Sequence, residues 1–253
     1  MSREYRDREL FDTIAQKYIR KDSYPPSALA RKAQLIASVQ PVLNENNTLG
    51  TVIDIGCGVG APAKYLLGSF HKYIGIDQSD EMIRFAQTFN RDNPDVEFIA
   101  GNVKEIHLAE RADTILSIGA LHHMTDLDTV LENLEKFARP GGTFVVIEPQ
   151  NANPVIQFMR WVRGKIDKGY SQEQIFFSES ELRNLFNRHG LKNLQITYQG
   201  YLSPPFAQVI IPPQAISIVL SRLAIRIDNW IQARLQGPLR KLSFNIIVTG
   251  NFP

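Results

Sequence analysis

The residues best placed to do chemistry lie in Thr51-Val-Ile-Asp-Ile-Gly-Cys-Gly-Val-Gly60, where a carboxylate, Asp54, precedes glycines at the alternate positions 56, 58 and 60. An apolar run that breaks into glycines and resumes with the helix-like Ala63-Lys-Tyr-Leu-Leu67 reads as a buried strand, a turn and a helix. Glycine allows the sharp reversal and lets a ligand approach backbone that carries no Cβ, so the turn is a binding site. Its ligand is ambiguous from the glycines alone, because Gly56, Gly58 and Ala61 also satisfy the dinucleotide pattern in which a pyrophosphate rests on a helix N-terminus. Asp54 decides against that pattern: a carboxylate two residues before the first glycine repels phosphate and attracts a ligand carrying an ammonium and a sulfonium. A second acid ends Tyr73-Ile-Gly-Ile-Asp77, about 20 residues beyond the glycines, where a ribose-binding carboxylate belongs.

A second group of reactive residues follows further on. In Leu121-His-His-Met124, either His122 or His123 is a candidate base, since an imidazole with a pKa near 6.5 can take a proton at neutral pH. Glu148 is the other candidate. No set of His, Asp and Glu has the spacing of metal ligands, so a metal-independent reaction is expected.

These residues need a frame, and the alternation of patterns supplies one. Helix is expected over Asp80 to Asn90 and Leu127 to Ala138, the latter stopped by Pro140-Gly141-Gly142. Strands are expected over Val96 to Ala100, Thr114 to Ile118 and Thr143 to Ile147. Strands separated by helices of this length require right-handed crossovers and a parallel sheet covered on both faces, a doubly wound α/β fold. Ligands bind such sheets outside the carboxyl ends of the strands, where Asp54, Asp77, Asn102, His122 and Glu148 all fall. Ahead of the sheet, Leu10, Phe11, Ile14 and Tyr18 share a helical stripe, and Ala28 to Val39 repeats the period.

With these motifs in this order, the chain resembles the class I S-adenosylmethionine-dependent methyltransferases, over roughly Phe11 to Gly200 and the last strand. The entry Phe11-Asp-Thr-Ile-Ala-Gln-Lys-Tyr18 is similar to the N-terminal cap of the small-molecule, quinone-biosynthesis type. The resemblance implies a Rossmann-like, mostly parallel seven-stranded sheet with an antiparallel last strand. It implies S-adenosylmethionine as cofactor and S-adenosylhomocysteine as product. Asp54, Ile55 and the glycines 56, 58 and 60 would surround the methionine moiety, and Asp77 would hold both ribose hydroxyls. Gln78 and Met82 would flank the adenine, Asn102 and Val103 would meet its edge, and Ile118 and Gly119 would line the methyl-donor end. Tyr18 would either reach the site from the cap or pack within it.

With 253 residues, 43% of them hydrophobic, the chain has enough apolar surface for one domain with a substantial core. The expected organisation is a cap at 1–47, a core at 48–202 and 243–253, and an insertion at 203–242. A net charge of +2 gives no case for nucleic acid as partner. The charged N-terminus lacks the apolar region of a secretory signal, so a cytoplasmic location is expected. The single cysteine, Cys57, excludes an internal disulfide and argues against methyltransferases of arsenic and of the cytosine ring. Gly119-Ala-Leu-His-His123 stands where adenine-N6 methylases carry a polar-Pro-Pro-aromatic turn, which excludes that subclass.

Between Asn151 and Phe177 the pattern weakens: an apolar helix over Pro154 to Val162, the basic Arg160, Arg163, Lys165 and Lys168, then a polar stretch near 169–174, together a loop bordering the acceptor pocket. Ser178 and Glu181 form a capping box ahead of a helix ending at Gly190, and strands follow at Leu194 to Tyr198 and Phe244 to Thr249. The insertion between those strands carries Pro204, Pro205, Pro212 and Pro213, then a helix over Gln214 to Leu235 with an apolar face of Ile216, Val219, Leu220, Leu223, Ile227, Trp230 and Ile231. Its prolines and arginines make it no transmembrane span. Such a face must be buried, either as a lid over the site or on a membrane interface. An apolar small-molecule acceptor is therefore expected. Two other classes stay open, an NAD(P)-dependent oxidoreductase and a non-catalytic S-adenosylmethionine-binding protein. Against the first, none of the eight tyrosines stands four residues before a lysine, as short-chain dehydrogenases require.

Overall fold

The computed structural model describes residues 3–166 and 174–253. Lys168 and most of the polar stretch read near 169–174 lie outside them. Seven strands form one sheet: β1 (Thr51–Ile55), β2 (Lys72–Asp77), β3 (Val96–Ala100), β4 (Ala112–Ile118), β5 (Ala138–Pro149), β6 (Lys192–Gln199) and β7 (Asn245–Asn251). Their order is β3-β2-β1-β4-β5-β7-β6; the first five run parallel and β7 is antiparallel to both neighbours. The order reverses at β1, which pairs with β2 on one side and β4 on the other. A doubly wound sheet opens its crevice at that switch.

Every residue of β1 is buried because both faces of the sheet are covered. Ile53 and Ile55 join a cluster with Val130, Leu134 and Phe186, from α5 (Leu127–Phe137) and α7 (Glu179–Arg188). Val52 joins one with Leu35, Ile83 and Leu116, from α2 (Pro25–Val39), α4 (Asp80–Phe89) and β4. Asp54 has the parity of Val52, so its carboxylate points into the second apolar layer. The capping box of α7 forms as expected, with Ser178 and Glu181 bonding each other's backbone.

Three expectations change. Pro140-Gly141-Gly142 does not separate helix from strand: Ala138 already pairs with Ala112 before Thr143 pairs with Thr114, so the intervening residues form a bulge within β5. The first helix, α1 (Arg3–Ser23), extends well beyond the apolar stripe, because its polar residues find partners across the fold.

The largest difference lies in the insertion. Its long helix, α9 (Gln214–Arg234), buries the narrow stripe Ser217, Ser221, Ala224 and Asp228, not its apolar face. Small residues let it pack closely on α2. Ser221 donates to Pro26 O (3.0 Å), and the Asp228 carboxylate accepts from Leu202 N (2.7 Å) and Ser203 N (2.9 Å). The large apolar residues are left outside: Ile216 is 58% exposed, Val219 59%, Leu223 51% and Trp230 59%.

Candidate active site

The glycine turn is tied to β2 before any ligand is considered. Gly56 N and Cys57 N donate to Ile76 O (2.7 and 3.0 Å), and Gly58 N donates to Asp77 Oδ2 (2.9 Å). The alternate glycines answer to different constraints. At Gly58 (φ +54°) a Cβ would meet no atom within 4 Å, because the residue faces an open cavity. At Gly60 (φ +72°) it would lie 2.7 Å from Phe98 and 2.9 Å from Ala86, so this glycine serves packing against α4. Gly56 is pressed against Ala120, whose methyl would stand 2.4 Å away.

Gly56 and Gly58 border a cavity that, with its solvent-open mouth included, encloses ≈ 1060 Å³. Gly56, Gly58, Asp77, Gln78 and Met82 line it, and so do Asn102, Val103, Ile118 and Gly119. Tyr18 and Phe11 close it from α1, and His123 borders it beyond Gly119. Ten of the residues expected at the site therefore meet around one space, with His123 beside them.

Asp77 accepts one backbone donor on each oxygen, Ser79 N at 3.0 Å and Gly58 N at 2.9 Å, which leaves a lone pair on each for a pair of hydroxyls. Burial raises its pKa, partly offset by these donors. Asp54, Ile55 and Gly60 are not on the wall; they lie beneath or behind the turn. Asp54 accepts from the Tyr73 hydroxyl through Oδ2, while Oδ1 is buried without a hydrogen-bond partner among the described residues. Desolvation pushes its pKa up to about 7, against the Tyr73 bond and with the nearby Asp77 adding to the rise.

The histidine pair divides. Glu148 is fully buried; its Oε1 accepts from Ala120 N (3.1 Å) and Leu121 N (2.8 Å), and its Oε2 lies 2.7 Å from His122 Nδ1. Both oxygens are thus committed to holding the loop after β4. Neither Glu148 nor His122 borders the cavity. His123 does, with its ring edge-on to Phe11 at 4.9 Å and Nδ1 3.4 Å from Asp7 Oδ2. Burial lowers its pKa more than Asp7 raises it, so the ring is neutral at neutral pH.

Sequence reading missed the polar residues that helices bring to the wall. Asp22 and Arg31 pair at 2.7 Å, with the Tyr65 hydroxyl 3.2 Å from the same oxygen. Glu4 meets Lys104 at 2.7 Å and accepts from the Thr125 hydroxyl at 2.6 Å. Neither set has a local signal, because each joins residues from separate elements. Among the described residues no group of three or more His, Cys, Asp and Glu could hold a metal ion. No residue of the 203–242 insertion is among those that line the cavity.

A family model described as a methyltransferase domain matches residues 28–196. The chain is 27% identical over 166 residues to the human mitochondrial ubiquinone biosynthesis O-methyltransferase, covering 62% of this chain and 44% of that one. It is 30% identical over 155 residues to a tRNA U34 carboxymethyltransferase of Pseudoalteromonas translucida, covering 58% and 46%. In each case the match spans less than half of the relative's length. Among solved structures, an S-adenosylmethionine-dependent methyltransferase of Thermotoga maritima superposes with a TM-score of 0.68 at 17% identity, covering 97% of this chain and 99% of that one.

Proposed function

Because the chain belongs to the methyltransferase-domain family of class I S-adenosylmethionine-dependent enzymes, we propose that it methylates a small, apolar acceptor drawn from a membrane surface, without a metal ion. The observation that carries the cofactor part is Asp77: a half-buried carboxylate on the cavity wall, oriented by Gly58 and Ser79, with acceptor capacity left for two hydroxyls. Gly58 leaves the backbone open beside it, and Met82 and Val103 offer apolar surface to a planar base.

S-adenosylmethionine supplies a methyl on a sulfonium, transferred by in-line displacement. The chain's residues need only orient the reactants and, for an oxygen or acidic carbon acceptor, remove a proton. His123 is the candidate for that proton: it borders the cavity, is neutral at neutral pH, and faces Asp7, which would stabilise the imidazolium. Glu148 and His122 act behind it, fixing the loop that carries it.

Support for an apolar acceptor comes from Phe11, Met124 and Val130 on the wall and from the apolar surface displayed by α9. The test uses methyl-labelled S-adenosylmethionine with a panel of long-chain carboxylic acids, alkylated phenols and small polar amines. Label in the organic phase with the first two classes supports the reading. Label only in the polar amines would overturn the acceptor class while leaving methyl transfer intact.

A further inference from the structure

The described residues contain no helix long and apolar enough to cross a membrane, yet two helices present their apolar sides outward. On α9, Ile216, Leu220, Leu223 and Trp230 follow one another at helical spacing, on the flank of the buried serine stripe. On α6 (Pro154–Ile166), Val155, Phe158 and Met159 are exposed, and Trp161 stacks on Phe158 with centroids 5.9 Å apart.

Contacts join the two helices into one region. Asn153, at the start of α6, donates to Leu242 O (2.5 Å), and Gln150 donates to Lys241 O (2.9 Å). Leu242 ends the 3-10 segment Gly237–Leu242, whose Arg240 carbonyl accepts from the Tyr201 hydroxyl (3.3 Å). Leu202, the next residue, is bonded to Asp228 in α9. Leu202, Leu239 and Leu242 are themselves about half exposed, so the apolar surface continues across the junction. All of it springs from the end of β5, the end of β6 and the start of β7, the sheet edge on which the cavity opens.

Charge identifies what this surface meets. The segments 154–166 and 204–242 hold eight of the chain's 28 Lys and Arg but only one of its 26 Asp and Glu, Asp228, whose carboxylate is buried on backbone donors. The remainder of the chain is net acidic. Two of the cations lie over the exposed tryptophans, Arg234 on Trp230 at 4.9 Å and Lys165 on Trp161 at 5.4 Å. Apolar rings that enter the acyl boundary, with cations held at headgroup level beside them, are the pattern of a helix lying in an anionic interface.

We propose that the exposed sides of α6, α9 and the Gly237–Leu242 segment dock together on an anionic lipid bilayer, bringing the mouth of the cavity to the surface from which an apolar acceptor is taken. This rests on the proposed function and gives it a surface and a lipid class. The experiment is flotation with vesicles of phosphatidylcholine alone and of phosphatidylcholine mixed with phosphatidylglycerol, using wild type, Leu223→Ser with Trp230→Ser, Phe158→Ser with Trp161→Ser, and Arg222→Glu with Arg226→Glu. Light scattering and calorimetry with S-adenosylhomocysteine accompany each protein.

The wild type should float with the mixed vesicles and sediment with phosphatidylcholine. Each apolar double variant should lose about tenfold or more in partition, the loss of one well-buried side chain already being worth that. The arginine variant should lose binding to the mixed vesicles, and added salt should weaken the wild type. Failure to float with either composition would overturn the proposal, as would unchanged flotation of all three variants. A dimer in the wild type that both apolar variants convert to monomer, without flotation, would replace the bilayer by a second copy of the chain. Retained S-adenosylhomocysteine binding in any of these cases separates failure of docking from failure of the methyltransferase reading.

Discussion

At the scale of single residues, the site depends on what burial does to charge. Asp54 sits in an apolar layer with the Tyr73 hydroxyl as a hydrogen-bond partner, and its carboxyl is pushed up to about 7. A raised carboxyl pKa means that the folded chain keeps a proton the unfolded chain has released, from about pH 4 to about pH 7. The Asp54 contribution is therefore most favourable below that window, falls as pH rises through it, and is constant above. Asp54→Asn should remove this part of the pH slope in urea unfolding; a slope identical to wild type would show that Asp54 is ionised throughout. His123 and Glu148 separate by function. His123→Asn should reduce turnover about 10²–10⁴-fold and abolish the acidic limb of the pH–rate profile, with S-adenosylhomocysteine affinity nearly unchanged. Glu148→Gln should instead cost about 1–3 kcal/mol of stability, because the two loop amides and His122 lose a charged acceptor. Chemical denaturation of the two variants distinguishes these outcomes.

At the scale of elements, the strand-turn-helix at Asp54 to Tyr65 was legible because apolar runs and glycines carry strong local signals. The carboxyl-edge placement of Asp77 and Asn102 followed from the alternation of strands and helices. The roles within the turn were not legible, since Gly58 and Gly60 look alike until Phe98 and Ala86 are seen packed behind the second. Gly60→Ala should lower stability by about 1–3 kcal/mol through overpacking and its left-handed φ. Gly58→Ala carries the φ strain without that clash, so calorimetry should find its main loss in ligand affinity. Equal stability losses for the two would contradict this division. For α9 the pattern was legible and its direction was not: the burial rule assigns the apolar stripe inward, while Ser217 finds its partner in Ile211 O, Ser221 in Pro26 O of α2, and Asp228 in the amides of Leu202 and Ser203. The inward preference of apolar residues is a rule about water, and it permits an outward stripe where another apolar phase is at hand.

At the scale of the whole molecule, one rim serves three tasks. The parallel half of the sheet delivers Gly58, Asp77 and Asn102 to the cavity, α1 closes it with Phe11 and Tyr18, and the antiparallel half carries the exposed apolar region. α1 is fastened at intervals, by Arg3 to His122 O (2.7 Å), Glu4 to Lys104 (2.7 Å) and Asp12 to the Ser79 hydroxyl (2.5 Å). Methyl transfer at this rim requires that the cavity hold S-adenosylmethionine through Asp77. Isothermal titration of S-adenosylhomocysteine and NAD into wild type and Asp77→Ala tests this most directly. The expected result is binding of S-adenosylhomocysteine without NAD, weakened in Asp77→Ala by about 1.5–3 kcal/mol, the range for a hydrogen bond to a charged group. Binding of NAD in place of S-adenosylhomocysteine, or S-adenosylhomocysteine affinity unchanged in Asp77→Ala, would contradict it.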